Sequence, residues 1–235
     1  MKTIVIVVAM DKELLTFKSY LEELQEQDLN NKKIYVGKLG KYQIILSKSG
    51  IGKVSSAIIL TMLIEKYHPS LVINMGIAGG YKRILKTLDS VIVTKALYSD
   101  VNMLEDAYTD LAYGQLEDMP PYFEIDESLQ KQLHLIVPSN VYFGTALSGD
   151  QFVTSYDKCQ ALVDKYFSKY DVLTFDMETA SVFHTCYLYK LPCLVIRTIS
   201  DLIGSSDALD YGVFSVKASE IVGHLCKNII EKIEI

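Results

Sequence analysis

Apolar positions along the chain fall into two patterns: short unbroken apolar runs, and longer stretches in which apolar residues return every three or four positions. The first pattern, rich in Val and Ile, predicts buried strands over 3–9, 33–37, 42–47, 71–76, 90–96, 141–147, 171–176 and 193–199. The second predicts helices over 11–26, 53–67, 127–134, 155–168, 178–190 and 212–233. In the last of these, Val213, Val216, Ile221, Leu225 and Ile229 recur with Lys and Glu between them, the pattern of a helix laid on a sheet. Strands alternating with helices predict an α/β fold, three layers α/β/α around a central mixed, mainly parallel twisted sheet flanked by helices.

One segment breaks the pattern. Residues 98–125 carry Tyr98, Tyr108, Tyr113 and Tyr122, two adjacent prolines and little periodicity. A long irregular stretch of this kind serves as a functional loop, a lid or an interface. If its aromatics are exposed they suit a protein–protein contact; if they pack on one another the segment is a structural loop. Elsewhere there is no Pro/Gly/Ser-rich linker, low-complexity tract or repeat, so residues 1–235 read as a single domain.

Composition narrows the partners. A net charge of −6 and only two arginines, Arg83 and Arg197, argue against nucleic acid or an anionic membrane. The cysteines (159, 186, 193 and 226) and histidines (68, 134, 184 and 224) are scattered without zinc-ligand spacing, so no metal is expected. Four cysteines without CxxC pairing fit a reducing, cytoplasmic compartment. The N-terminal apolar run is too short, and too quickly followed by acids, for a signal peptide, and no run is long enough for a membrane span.

The candidate chemistry lies where strands end. Phe175-Asp176-Met177-Glu178 and Arg197-Thr198-Ile199-Ser200-Asp201 each bring carboxylates to the exit of an apolar run, at a spacing that fits a strand, a crossover helix and a parallel return strand. Both acids then emerge at the carboxyl edge of the sheet, where ligands of open α/β sheets bind. The first strand likewise exits into Met10-Asp11-Lys12-Glu13, although acids there also suit the first turn of a helix.

Three glycine-containing exits accompany the acids. Ser49-Gly50-Ile51-Gly52-Lys53-Val54 matches neither the Walker loop nor the dinucleotide fingerprint, and its glycines serve either a tight turn or close approach to a ligand. Asn74-Met75-Gly76-Ile77-Ala78-Gly79-Gly80 offers either a backbone wall for a flat ligand or a turn at positive φ. In Ser148-Gly149-Asp150-Gln151-Phe152-Val153, Phe152 suits either stacking on a heteroaromatic ring or a place in the core, and Asp150 either caps the helix at 155 or closes the turn.

Taken in order, these segments together with Tyr113-Gly114-Gln115-Leu116 give the chain an end-to-end resemblance to the 5′-methylthioadenosine/S-adenosylhomocysteine nucleosidases of the nucleoside phosphorylase/hydrolase superfamily. The resemblance implies hydrolysis of the N-glycosidic bond of methylthioadenosine and S-adenosylhomocysteine, and of 5′-deoxyadenosine, to adenine and the 5′-substituted ribose, within methionine salvage and without a cofactor. It implies that Asp201 protonates or hydrogen-bonds adenine N7 and that Glu13 activates water on the opposite face of the ribose, the logic of an inverting glycosidase. Glu178 would grip the ribose hydroxyls with Met177 against the sugar. Phe152 and Val153 would hold the base, with Gly79 and Ser200 nearby. Met10, Ile51, Tyr211 and Phe214 would line the 5′-thioalkyl pocket, and a homodimer would form through 98–125.

The chain departs from the family pattern twice. Ile77 stands where the family usually carries a small or hydroxyl residue, and Asp176 where many relatives have glutamate. The second departure predicts an Asp176–Arg197 ion pair that fixes the Glu178 loop. Rival readings are a phosphorylase, which would need cations around Asp11, Lys12 and Glu13; a futalosine hydrolase; and a silent nucleoside-binding protein, which would have lost Glu13 or Asp201.

Overall fold

The apolar run Thr3–Val8 forms strand β1, and all of its side chains except that of Thr3 are buried. It lies between two parallel neighbours, β4 (Tyr42–Lys48) and β5 (Leu71–Gly80), which explains why it reads as continuously apolar. The computed structural model describes residues 1–104, 110–205 and 208–235, and at 208–211 and 213 the backbone alone.

From β5 the sheet continues in parallel to β10 (Cys193–Leu202), which pairs antiparallel with β6 (Ser90–Tyr98). Parallel pairing then links β6 to β8 (Tyr142–Ser148) and β8 to β9 (Val172–Asp176). The end of β9 returns antiparallel to Gly79 and Gly80 of β5, closing a ring of five strands. On the other side of β1 and β4, an antiparallel wing adds β3 (Lys32–Leu39) and β2 (Glu22–Leu29), while the short β7 (Phe123–Glu124) pairs with β6.

Helices α1 (Asp11–Lys18) and α6 (Ala208–Ile230) pack together, as do α2 (Lys53–Tyr67) and α5 (Thr179–Tyr189), so the mixed sheet is flanked by helices. The remaining helices are α3 (Glu127–Ile136) and α4 (Tyr156–Leu162), the latter running into a π-helical turn at Val163–Phe167. One apolar cluster joins β1, β4, β5 and β10 to the helices that cover them. No helix among the described residues is long and apolar enough to cross a membrane.

Several expected boundaries move. The helix predicted over 11–26 stops at Lys18, and Glu22–Leu29 becomes edge strand β2. Its Glu and Gln residues favour a helix locally, but pairing with β3 overrides that preference. Its mostly exposed, charged side chains also shield the open edge of the sheet. Strands β5 and β10 run further than predicted, to Gly80 and Leu202, so the site residues Gly79, Ser200 and Asp201 lie within strands.

On α6 the face in contact with the protein is Ala218, Val222, Leu225, Cys226, Ile229 and Ile230, whereas Val216 is exposed. In 98–125, Tyr113 stacks on Tyr166 with ring centroids 4.0 Å apart, and Tyr122 packs edge-on to Tyr170. Tyr98 is buried and its hydroxyl meets His184 Nδ1 at 2.9 Å. These three tyrosines therefore follow the locally packed alternative; Tyr108 lies outside the described residues.

Candidate active site

The strand exits meet at one cleft, lined by Met10, Glu13, Ile51, Gly79, Phe152, Val153, Met177, Glu178, Ser200 and Asp201, all singled out from the sequence. Phe214 is half-buried on α6 and is not part of the described lining, and the side chain of Tyr211 lies outside the described residues. Asn74, Gly76, Gln151 and Phe175 also line the cleft, with no site role assigned from the sequence. For Asn74 a signal was present: a lone amide within the apolar run of β5 must be buried with partners or serve a site.

Glu13 sits in the first turn of α1, so it serves both readings of its position. Its Oε2 accepts the backbone N–H groups of Ala9 at 3.0 Å and Met10 at 2.8 Å, which closes the turn. Its Oε1 accepts the Ile77 N–H of β5 at 3.1 Å and faces the cleft. Burial pushes the Glu13 pKa up, and the three N–H donors together with nearby Arg197 oppose that rise. Gly76 makes the approach possible, because a Cβ there would lie 2.9 Å from Glu13 Oε1. None of Gly76, Gly79 and Gly80 has positive φ, so close packing, and not a turn, accounts for these glycines.

Asp201 reaches the cleft through an irregularity in β10. Pairing with β5 shifts register between Ile199 and Asp201, leaving Ser200 as the extra residue. The Ser200 hydroxyl donates to Asp201 Oδ1 at 2.6 Å. Burial raises the Asp201 pKa, and the Ser200 bond opposes the rise. A partly buried acid of this kind keeps its proton to higher pH than an exposed aspartate.

Glu178 precedes α5, and its Oε1 accepts the Gly52 N–H at 2.8 Å. Burial, with the neighbouring Asp176 carboxylate, pushes its pKa up to about 7, against the pull of Arg197 and the Gly52 bond. Gly50 and Gly52 have φ of 89° and 98°, so this exit is the one that needs glycine for a left-handed turn.

Beneath the acids lies a buried polar network. Arg197 Nε donates to Asp176 Oδ2 at 2.9 Å, and its Nη2 donates to Asn74 Oδ1 at 2.5 Å and Thr179 Oγ1 at 2.7 Å. Asp176 also accepts the Ser148 hydroxyl at 2.6 Å and the Thr179 N–H at 3.1 Å. The ion pair expected from the sequence is present and anchors the turn that leads to Glu178. Among the described residues, Arg197 is the one cationic side chain in the cleft lining, beside four carboxylates. No group of three or more His, Cys, Asp or Glu among the described residues could hold a metal ion.

With that geometry in place, the chain matches the phosphorylase superfamily profile over residues 3–231. It is 33% identical over 217 residues to the 5′-methylthioadenosine/S-adenosylhomocysteine nucleosidase of Staphylococcus epidermidis, covering 91% of this chain and 92% of that protein. The nucleosidase of that name from Streptococcus pneumoniae, solved with the transition-state inhibitor MT-ImmA, superposes with a TM-score of 0.92 at 29% identity, covering 99% of this chain and all of that one. Futalosine hydrolase of Helicobacter pylori superposes with a TM-score of 0.90 at 25% identity, covering 99% and 98% of the two chains.

Proposed function

This chain belongs to the phosphorylase superfamily and, within it, to the 5′-methylthioadenosine/S-adenosylhomocysteine nucleosidases, and on that premise we propose that it hydrolyses the N-glycosidic bond of methylthioadenosine and S-adenosylhomocysteine. The products are adenine and the 5′-thio-substituted ribose, and 5′-deoxyadenosine is a further substrate. One observation carries the choice of water over phosphate: the cleft is lined by Glu13, Asp176, Glu178 and Asp201, and its single cation among the described residues, Arg197, is committed to Asp176, Asn74 and Thr179. A phosphate nucleophile would meet carboxylates with no free guanidinium in that lining to bind it.

In this reading Asp201 hydrogen-bonds adenine N7 and passes it the proton as the C1′–N9 bond breaks, so the base leaves neutral. Its burial raises its pKa, the direction that suits a proton donor. Glu13, fixed by three backbone donors, takes a proton from the attacking water as the ribose gains oxocarbenium character. Glu178 accepts hydrogen bonds from the ribose hydroxyls while Met177 packs on the sugar. Phe152, 64% exposed in the cleft lining, stacks on the purine in this reading, with Val153, Gly79 and Ser200 at the edge of the base. Met10 and Ile51, both in the cleft lining, take the 5′-thioalkyl group in this reading, to which the resemblance also assigns Tyr211 and Phe214.

We further infer a single domain over 1–235, a cytoplasmic homodimer joined through 98–125, and a place in methionine salvage. Sedimentation velocity tests the dimer: a species of 26.5 kDa alone would refute it. The activity is tested by incubating the protein with methylthioadenosine, S-adenosylhomocysteine, futalosine, adenosine and inosine, with and without phosphate, and quantifying free base. Adenine release independent of phosphate is expected. Release that requires phosphate, or turnover of futalosine alone, would overturn the assignment.

A further inference from the structure

The two glycine motifs at Ser49–Lys53 and Ser148–Asp150 pack against each other as well as against the cleft. Lys53, the first residue of α2, places Nζ 2.7 Å from both carboxylate oxygens of Asp100. The Lys53 backbone N–H donates to Asp150 Oδ1 at 2.8 Å, and the Asp150 N–H donates to Asp100 Oδ2 at 2.9 Å. Asp150 Oδ2 lies 3.9 Å from Lys53 Nζ. Three segments remote in sequence thus close into one ring of charge-assisted bonds. The Lys53 and Asp100 side chains are only 21% and 20% exposed, which limits screening by solvent.

The glycines are what let these segments approach. A Cβ on Gly52 would lie 3.0 Å from Asp150 Oδ1, and one on Gly149 would lie 2.5 Å from Ser99 Oγ and 3.1 Å from Asp100 Cγ. Asp150 therefore serves the start of α2, where a carboxylate also complements the helix dipole, and not the helix that follows it in sequence. Lys53, whose surroundings first suggest a phosphate loop, is spent on an internal carboxylate.

The ring joins two segments whose neighbouring residues line the cleft. Immediately before Lys53, the Gly52 N–H holds Glu178, and Ile51 lines the wall. Immediately after Asp150 come Gln151, Phe152 and Val153, the base side. We propose that Lys53, Asp100 and Asp150 form a latch of positioning residues that holds the base-side segment 151–153 in fixed register with the ribose-side carboxylate Glu178. The functional part rests on the nucleosidase reading above. Glu13 and Asp201 are held by other bonds, so opening the latch weakens substrate binding and leaves the chemical step nearly intact.

The test uses the full chain carrying Lys53→Met, Asp100→Asn, the double substitution and Lys53→Arg. Without substrate, hydrogen–deuterium exchange in peptides spanning 147–154 is expected to quicken about tenfold in both single variants, no further in the double, and to leave β1 and β5 unchanged. With methylthioadenosine, KM is expected to rise about tenfold and kcat to change less than threefold, with Lys53→Arg restoring KM to within about twofold. Unchanged exchange, effects that multiply in the double variant, or a loss confined to kcat would each overturn the latch. If Lys53→Met loosens the whole protein, the isosteric Asp100→Asn decides by the same readouts. Failure of the unsubstituted protein to release adenine would refute the nucleosidase reading, and the exchange measurement would still judge the latch.

Discussion

Arg197 Nε lies 2.9 Å from Asp176 Oδ2, and both side chains are 2% exposed, so the floor of the cleft is an ion pair removed from water. The guanidinium also donates to Asn74, Thr179 and the Ile196 carbonyl, and the carboxylate also accepts from Ser148 and the Thr179 N–H. Such a pair contributes little net stability over an apolar substitute, but losing one partner strands a buried charge.

Arg197→Met is therefore expected to cost about 3–5 kcal/mol, read as a lower urea midpoint at unchanged m-value. Because Arg197 draws the pKa values of both Glu13 and Glu178 down, its loss also shifts the acidic limb of activity to higher pH. A variant as stable as the unsubstituted protein would show that the pair is dispensable.

The raised pKa of Glu178 has a stability consequence of definite sign. Its folded value of about 7 lies above its ordinary 4.5, so between those pH values the folded state holds the proton more tightly than the unfolded one. This contribution is fully present below about 4.5 and is lost as pH rises through about 7. Glu178→Gln is expected to flatten the denaturation midpoint across that window. In kinetics, kcat/KM is expected to fall as pH drops below about 7, where Glu178 can no longer accept two hydroxyl donors, and the same substitution should move that limb.

Asp201→Asn and Glu13→Gln are each expected to lower kcat by a factor on the order of 10² to 10⁴, the usual worth of a general acid or base. Asp201→Asn keeps a polar side chain in place, so binding of a transition-state analogue stays measurable by calorimetry. Near-normal turnover in either variant would remove that residue from the mechanism.

Gly76→Ala tests the close approach of β5 to Glu13. The added methyl would lie 2.9 Å from Oε1 and 3.5 Å from Arg197 Nη1, and the carboxylate has to move aside. A fall in kcat of at least about tenfold is expected, with the far-UV circular dichroism spectrum unchanged, since misplacing a catalytic group by about 1 Å costs on this scale. Full activity would mean that Glu13 works from more than one position.

Much of the fold is legible in the sequence because apolar runs and helical periodicity report burial directly. All eight expected strands, β1, β3, β4, β5, β6, β8, β9 and β10, and the six expected helices occur near their expected places, the first helix cut short at Lys18. Glu22–Leu29 reads as helix because its composition favours one, and its strand state depends on pairing with Lys32–Leu39. Local spacing assigns Asp150 to its own turn or the nearest helix, whereas its carboxylate serves Lys53, 97 positions away. Asn74 carries no sequence assignment because its role is defined by Arg197 and by the Val7 carbonyl, which its amide meets at 2.8 Å.

The order of residues along the chain determines which strands are buried and which side chains stand at their exits, since both follow from patterns a few residues long. That local information is enough to single out Glu13, Glu178 and Asp201. Their environments are another matter. The Ile77 N–H bound to Glu13 lies 64 positions away, and the Gly52 N–H bound to Glu178 lies 126 positions away. Sheet register and close backbone approach select those partners, and the same burial that brings them together raises each acid's pKa, so only the tertiary structure decides how the three carboxylates can act.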